Sequence, residues 1–198
     1  MENVRKTVCK SLKTVKKHVD NWDTICAECE PVITSLLNLS TQLDCCQKVD
    51  LTNHPLGGFD DLKENLSTKL MLDVDTSVNS LLQKLKILSE CRNRIRRVTD
   101  TCNSLLKSVN TVKTTIGTAT EPPHSDIVEW LNNLVFIATE QYAEKRDIIT
   151  NLQMVEFNTE FDACTIKDNL TAWKNHKDLH SYLHDILKYC ENIISLDS

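Results

Sequence analysis

Residues 81–116 read LLQKLKILSECRNRIRRVTDTCNSLLKSVNTVKTTI, and this run decides the fold. Its apolar positions are Leu81, Leu85, Leu88, Cys91, Ile95, Val98, Cys102, Leu105, Val109, Val112 and Ile116, always three or four residues apart. That spacing keeps one face of a 3.6-residue helix apolar for about ten turns. From Phe59 to Ile116 there is no glycine and no proline to interrupt it. An apolar stripe of this length is unstable in water by itself and requires partner helices along it.

The rest of the composition agrees with long helices. The chain has 198 residues, enough for a sizeable core, yet only three glycines and four prolines. Sheets and barrels need turn residues at their corners, so the shortage favours few, long elements. Aromatics are 5% of the residues, which predicts an aliphatic core. The net charge of −5 argues against direct nucleic-acid binding, which wants a cationic surface. The start, Met1-Glu-Asn-Val-Arg-Lys6, lacks an apolar signal core, and no window reaches eighteen apolar residues. An intracellular chain with no membrane contact is the expectation. Nine cysteines, an odd number, then read as reduced thiols, and the three Asn-x-Ser/Thr sequons at Asn38, Asn65 and Asn169 as chance matches.

Taken in order, a first helix is predicted over about 3–48. Its stripe is Val4, Val8, Leu12, Val15, Val19, Trp22, Cys26, Cys29, Ile33, Leu36, Ser40 and Leu43. Pro31 interrupts the run, but the stripe keeps its phase beyond it, so a kink and no reversal is expected. Asp50 to Gly58 is the clearest loop. A short helix over 59–71 follows, with Phe59, Leu62, Leu66 and Leu70 inward. Asp73, Asp75 and Ser77 could cap a new start, giving a main helix over 76–116. The other reading is one helix continuous from Phe59, about 85 Å long. Gly117 suits a helix end, and Pro122-Pro123 marks the next turn. Helices over 125–153, capped by Ser125 or Asp126, and over 168–196 complete the chain. The third turns Ile127, Leu131, Leu134, Ala138, Tyr142, Ile149 and Leu152 inward. The fourth does so with Leu170, Trp173, Leu179, Leu183, Ile186, Leu187, Cys190 and Ile194. The fold class is all-α: an elongated up-down four-helix bundle in a single domain, 1–198, with coiled-coil-like helix faces.

Candidate chemistry is sparse. Cys26-Ala-Glu-Cys29 is a CxxC, but there is no second one to complete a zinc site, and both cysteines lie on the apolar stripe. Cys45 and Cys46 are adjacent and point apart on a helix. His176, His180 and His184 share one helical face and could form a metal ladder. Lys177 stands where HExxH needs its glutamate, so a solvated face is the plainer reading. Arg92, Arg94, Arg96 and Arg97 are spread around the helix. Lys6, Lys10, Lys13 and Lys17 share a face, either simply solvated or a docking stripe for an acidic partner. Trp22, Trp130 and Trp173 fall near face boundaries and read first as core, second as binding anchors. No phosphate loop, nucleophile elbow or paired carboxylates appear, so no enzyme and no cofactor is expected.

Several segments taken together carry a resemblance. They are Trp22, Cys29-Glu30-Pro31, Ser35-Leu36-Leu37-Asn38-Leu39, Gln42-Leu43, Phe59-Asp-Asp-Leu-Lys-Glu64 with Lys69, Glu129-Trp130-Leu131, Tyr142 with Lys145-Arg146, Ala172-Trp173 and Asp185-Ile186-Leu187. In this order the chain, from about Val4 to Leu196, resembles the AIRIM family, ribosome maturation factors that bind AAA ATPases. Thr111–Thr120 and Val155–Cys164 depart from the family pattern, and no contacts are carried over to them. The resemblance implies a non-catalytic adaptor working with two related AAA ATPases and a second helical adaptor, a cyclin-dependent-kinase-interacting protein. It implies an indirect link to pre-ribosomal particles through release of a shuttling factor, and residence in cytoplasm and nucleus. A tie to chromatin, DNA replication and the cell cycle is also implied. Contacts are expected at Phe59 and Leu62, with Trp22, Trp130, Trp173 and the Lys6, Lys10, Lys13 stripe as further candidates. The alternatives are a self-associating helical scaffold, and a metal or redox protein built on Cys26, Cys29 and the histidines.

Overall fold

The computed structural model describes residues 2–51, 54–59, 61–108, 123–157, 168–169, 171–173, 179 and 183, with side chains omitted at 2–5 and 154–157. The described residues are helical, with no strand among them. The elements are α1 (Glu2–Lys48), a 3-10 turn η1 (Pro55–Gly58), α2 (Leu62–Ser108) and α3 (His124–Phe157), with helical residues again at 168–169 and 171–173. No helix among the described residues is long and apolar enough to cross a membrane. Helix α3 runs on to Phe157, four residues past its expected end at 153, while the expected ends at 109–117, residues 158–167 and most of the 168–196 helix, including His176, His180 and His184, lie outside the described residues.

The α1 stripe forms as its periodicity requires. From Val8 to Leu43 every described position predicted to face inward is buried, Ser40 included. Helix α1 runs unbroken through Pro31, which is exposed on the opposite face. Proline removes one backbone hydrogen bond there. Burial of Ile33, Leu36 and Leu43 beyond it, each contributing roughly 1.5–3 kcal/mol, outweighs that loss.

Helix α2 resolves the two readings in favour of continuity. No separate helix over 59–71 exists, and the chain does not pause at Asp73–Ser77. Thr76 and Ser77 do not cap a new start. Their hydroxyls donate back along the helix, to the carbonyls of Leu72 (2.8 Å) and Asp73 (2.9 Å). Leu70, Val74, Val78 and Leu81 hold one buried line across the junction. The inward assignment of Phe59, Leu62 and Leu66 is overturned: they are 65%, 36% and 47% exposed, and only Leu70 of that set is buried. At the far end the buried position is Leu106, and Leu105 is half-buried.

Helix α3 starts one residue before the expected caps. The Pro123 carbonyl accepts from the N–H groups of Asp126 (3.1 Å) and Ile127 (3.4 Å), and the Ser125 hydroxyl bonds to Asp126 instead of capping. Ile127, Leu131, Leu134, Ala138, Ile149 and Leu152 are buried as the spacing predicts.

The described chain groups into two compact units. The first takes α1 up to Ile25, α2 from Ile87 and α3 up to Ala143. In it Asn21 Nδ2 donates to Cys91 Sγ (3.1 Å), joining α1 to α2. The Arg92 guanidinium lies 4.1 Å from the Tyr142 ring, and Asn103 Nδ2 donates to Asn132 Oδ1 (3.0 Å), which makes α2 and α3 antiparallel. The second unit takes Cys26–Lys86 and the described residues of 144–176. Here Lys84 pairs with Glu28, and Cys46 Sγ donates to the Lys63 carbonyl (3.7 Å), so α1 and α2 are antiparallel.

Replacing the exposed Pro31 by alanine restores a helical hydrogen bond and opens no cavity. Pro31→Ala is expected to raise unfolding free energy by about 1–3 kcal/mol, after allowing for the greater freedom of the unfolded alanine chain. Urea denaturation of both chains measures it. A lower midpoint for the variant would show that the proline is needed where it stands.

Candidate docking site

Five of the eight large apolar residues exposed among the described residues lie where α1 hands over to α2; Leu72, Ile87 and Phe136 lie elsewhere. Val49, Leu56, Phe59, Leu62 and Leu66, all in the second unit, are at least one-third exposed. The connection that presents them is held by polar contacts. The Lys63 ammonium donates to the carbonyls of Gln47 (2.8 Å) and Val49 (3.1 Å), satisfying acceptors left open at the end of α1. His54 Nδ1 accepts from the Leu56 N–H (3.2 Å) and caps η1. Gly57 crosses the backbone of Leu51 so closely that a Cβ there would lie 2.2 Å from the Leu51 carbonyl oxygen. Asp61, with φ 66°, sits in the left-handed region and accepts the first helical bond of α2, from Asn65 N–H (2.8 Å). Asp and Asn tolerate this conformation better than other non-glycine residues. An open groove of ≈ 530 Å³ lies between these parts, with Cys46, Leu51, Phe59, Leu62 and Lys63 among its walls. Its lining mixes apolar and charged groups, which suits a protein surface better than a small ligand.

The remaining sequence candidates fall in different places. Trp22 and Trp173 are fully buried and form core, the first of the two readings given to them; Trp130 is half-buried. Lys6, Lys10 and Lys13 are exposed on α1. Cys26 and Cys29 are buried in the stripe, and the described residues contain no group of three or more metal-ligating side chains. Burial pushes the Cys29 thiol up to about 11, which keeps it protonated and unreactive near neutral pH.

One residue with distinct chemistry escaped the sequence reading. Lys145 is only 2% exposed. Its ammonium sits 4.1 Å over the Trp173 ring and donates to the Trp173 carbonyl (3.4 Å), while Trp173 Nε1 donates to the Cys26 carbonyl (3.5 Å). Desolvation lowers its pKa, an effect offset by the nearby Cys26, Cys29, Glu144 and Glu30. The signal was available: Lys145 lies seven residues after Ala138 and four before Ile149, on the seam itself. The arrangement pins Trp173 between α3 and α1.

Comparison with known proteins adds a second line. A family described as CA109-like, "Ribosome biogenesis protein C1orf109-like", matches residues 2–189. Proteins named AFG2-interacting ribosome maturation factor are similar over much of their length. The Xenopus tropicalis protein is 29% identical over 151 residues, 73% of this chain and 72% of its own. The human protein is 26% identical over 191 residues, 93% of this chain and 91% of its own.

The buried thiols set an alkaline limit. Cys29 and Cys102 titrate at about 11 when folded, against 9.0 for an unperturbed thiol. The unfolded chain therefore releases these protons first. Their stabilisation is complete below about pH 9 and is lost as the pH climbs to about 11, at about 2 kcal/mol per thiol. Lys145 acts in the opposite sense, since its folded pKa is lowered and stability from it grows as pH approaches 10.5. The thiol contribution by itself therefore lowers the urea midpoint between about pH 9 and 11. Combining Cys29→Ala with Cys102→Ala should flatten or invert that slope; an unchanged slope in the double variant would refute the assignment.

Proposed function

We propose that this chain, which belongs to the CA109-like ribosome biogenesis family, is a non-catalytic adaptor that docks onto an AAA ATPase of the AFG2 type. The observation that carries the reading is the exposed apolar turn at Leu56, Phe59, Leu62 and Leu66, held in shape by its own hydrogen bonds. Relatives named for an interaction with AFG2 supply the class of partner. The mechanism is positional. Burying this apolar surface against the ATPase tethers it to its client, and no bond is made or broken by the adaptor.

The finer reading takes the remaining elements from the resemblance. The helices form an up-down bundle, and a second helical adaptor, a cyclin-dependent-kinase-interacting protein, completes the assembly. Its work is release of a shuttling factor from cytoplasmic particles of the large ribosomal subunit, with a further part in chromatin- and replication-linked protein turnover in the nucleus. The same exposed leucines would also serve a homodimer, which gives the scaffold reading its one supporting observation.

Affinity purification of the tagged full chain tests both. The wild type is expected to recover an AAA ATPase, and Phe59→Asp with Leu62→Asp to reduce that recovery at least tenfold, the scale of one or two interface hot spots. Both positions are exposed, so helical circular dichroism should be unaltered. Wild type without ATPase would overturn the adaptor reading; equal recovery by the variant would overturn the site. Light scattering that finds a discrete homodimer dispersed by the same substitutions would favour the scaffold.

A further inference from the structure

The described helix segments of the first unit differ in charge. Within residues 6–25 of α1 and 87–108 of α2 there are ten lysines and arginines against four carboxylates, in a chain whose net charge is −5. Residues 124–143 of α3 hold Asp126, Glu129 and Glu140 and no lysine or arginine. Part of this charge lies along the contact between α1 and α2. The Asn21–Cys91 hydrogen bond fixes where α1 crosses onto α2. One turn along α2 from Cys91 is Arg94, and a further turn brings Arg97; one and three turns back along α1 from Asn21 are Lys17 and Lys10. All four are exposed, as is Lys13 beside them. His18 senses this charge: burial lowers its pKa, and Arg94 and Lys17 lower it further. Glu90 is the carboxylate on this rim, and Asp20 is already paired with Lys16 (2.9 Å). Val98 and Leu105, seven residues apart on one side of α2, are half-buried.

We infer that the rim formed by Lys10, Lys17, Arg94 and Arg97 is a second docking surface, and that its occupant is an acidic, amphipathic protein segment. Charge complementarity selects an anionic partner. The half-buried Val98 and Leu105 favour a polypeptide with apolar side chains over a phosphate backbone. Within residues 6–25 and 87–108 the one phenylalanine, tyrosine or tryptophan is Trp22, which is buried, so these two helix segments give a base no such ring to stack on. This surface lies in the first unit, whereas the apolar turn lies in the second, so the inference stands independently of the ATPase reading.

The test uses the full chain and two probes: a labelled 20-residue peptide with glutamate and leucine at alternating helical spacing, and an RNA duplex of equal charge. The peptide should bind, and Lys17→Glu with Arg94→Glu should weaken it at least tenfold. Lys69→Glu with Lys86→Glu, at exposed lysines of the second unit, should change it less than twofold. Bound peptide should also raise the NMR titration midpoint of His18, because it neutralises the cations that depress it. Absence of peptide binding, equal loss in both double variants, an unmoved His18, or tighter binding of the duplex would each overturn the inference. Circular dichroism of both variants checks that the fold is retained.

Discussion

The structure depends on covering an apolar face that recurs every 3.6 residues over long helices. On α1 the line from Val8 through Leu12, Val15, Val19 and Trp22 is buried in the first unit, and Cys29, Ile33, Leu36 and Leu43 continue it in the second. Each such side chain returned to water would cost roughly 1.5–3 kcal/mol, so no isolated helix of this composition is stable. That single demand explains why α1 passes through Pro31 without breaking and why α2 passes through Asp73–Ser77. Local signals for a stop were present at both places, and each is worth only a few kcal/mol. The buried line on either side is worth more.

The seam is not purely apolar, and its polar members have a different effect. Ser40 and Thr99 are buried with hydroxyls that find no partner among the described residues, and Trp22 is buried with its Nε1 likewise. Groups of this kind cost about 1–3 kcal/mol each and add nothing to burial. Lys145 is costlier to bury, yet it is matched: a ring face, a carbonyl and nearby carboxylates and thiols lie around its ammonium. A leucine at this position would pack in several registers. A buried ammonium reaching the Trp173 carbonyl can be satisfied in few, so it fixes which turn of the last described segment meets α3.

Much of this was legible beforehand, for a stated reason. Where a stripe is covered on both flanks, periodicity alone places each residue, and α1 reads correctly from Val8 to Leu43. Periodicity does not report where cover runs out. Phe59, Leu62 and Leu66 have the spacing of core residues and are exposed, because α1 ends at Lys48 and shields only one side of the first turns of α2. The Leu105–Leu106 exchange has the same origin as any long helix: a 3.6-residue repeat drifts against a three-and-four pattern, and the drift accumulates toward an end. Lys145 was missed because a lysine on an apolar stripe is usually read as its edge. The exposed turn was thus half legible: Phe59 and Leu62 stood out in the sequence, but the inward assignment of Phe59, Leu62 and Leu66 was wrong.

Exposure alone would make that turn a poor binding surface, since a floppy loop loses its freedom on association. The described residues of the connection after α1 are instead held by contacts made on folding. Gly57 is wedged against the Leu51 carbonyl at a distance no side chain could occupy, and Asp61 is held in a left-handed conformation that costs a free residue about 1–2 kcal/mol. Such strain persists only where neighbours over-determine it. Here the neighbours are Lys63, bonded to two carbonyls of the preceding helix end, and the first turn of α2 anchored on Asp61. Side chains projecting from a connection fixed at both ends meet a partner with much of the ordering cost already met by folding. Under the adaptor reading proposed above, that arrangement is an advantage, because an adaptor transmits only as much geometry as its own contact surface retains.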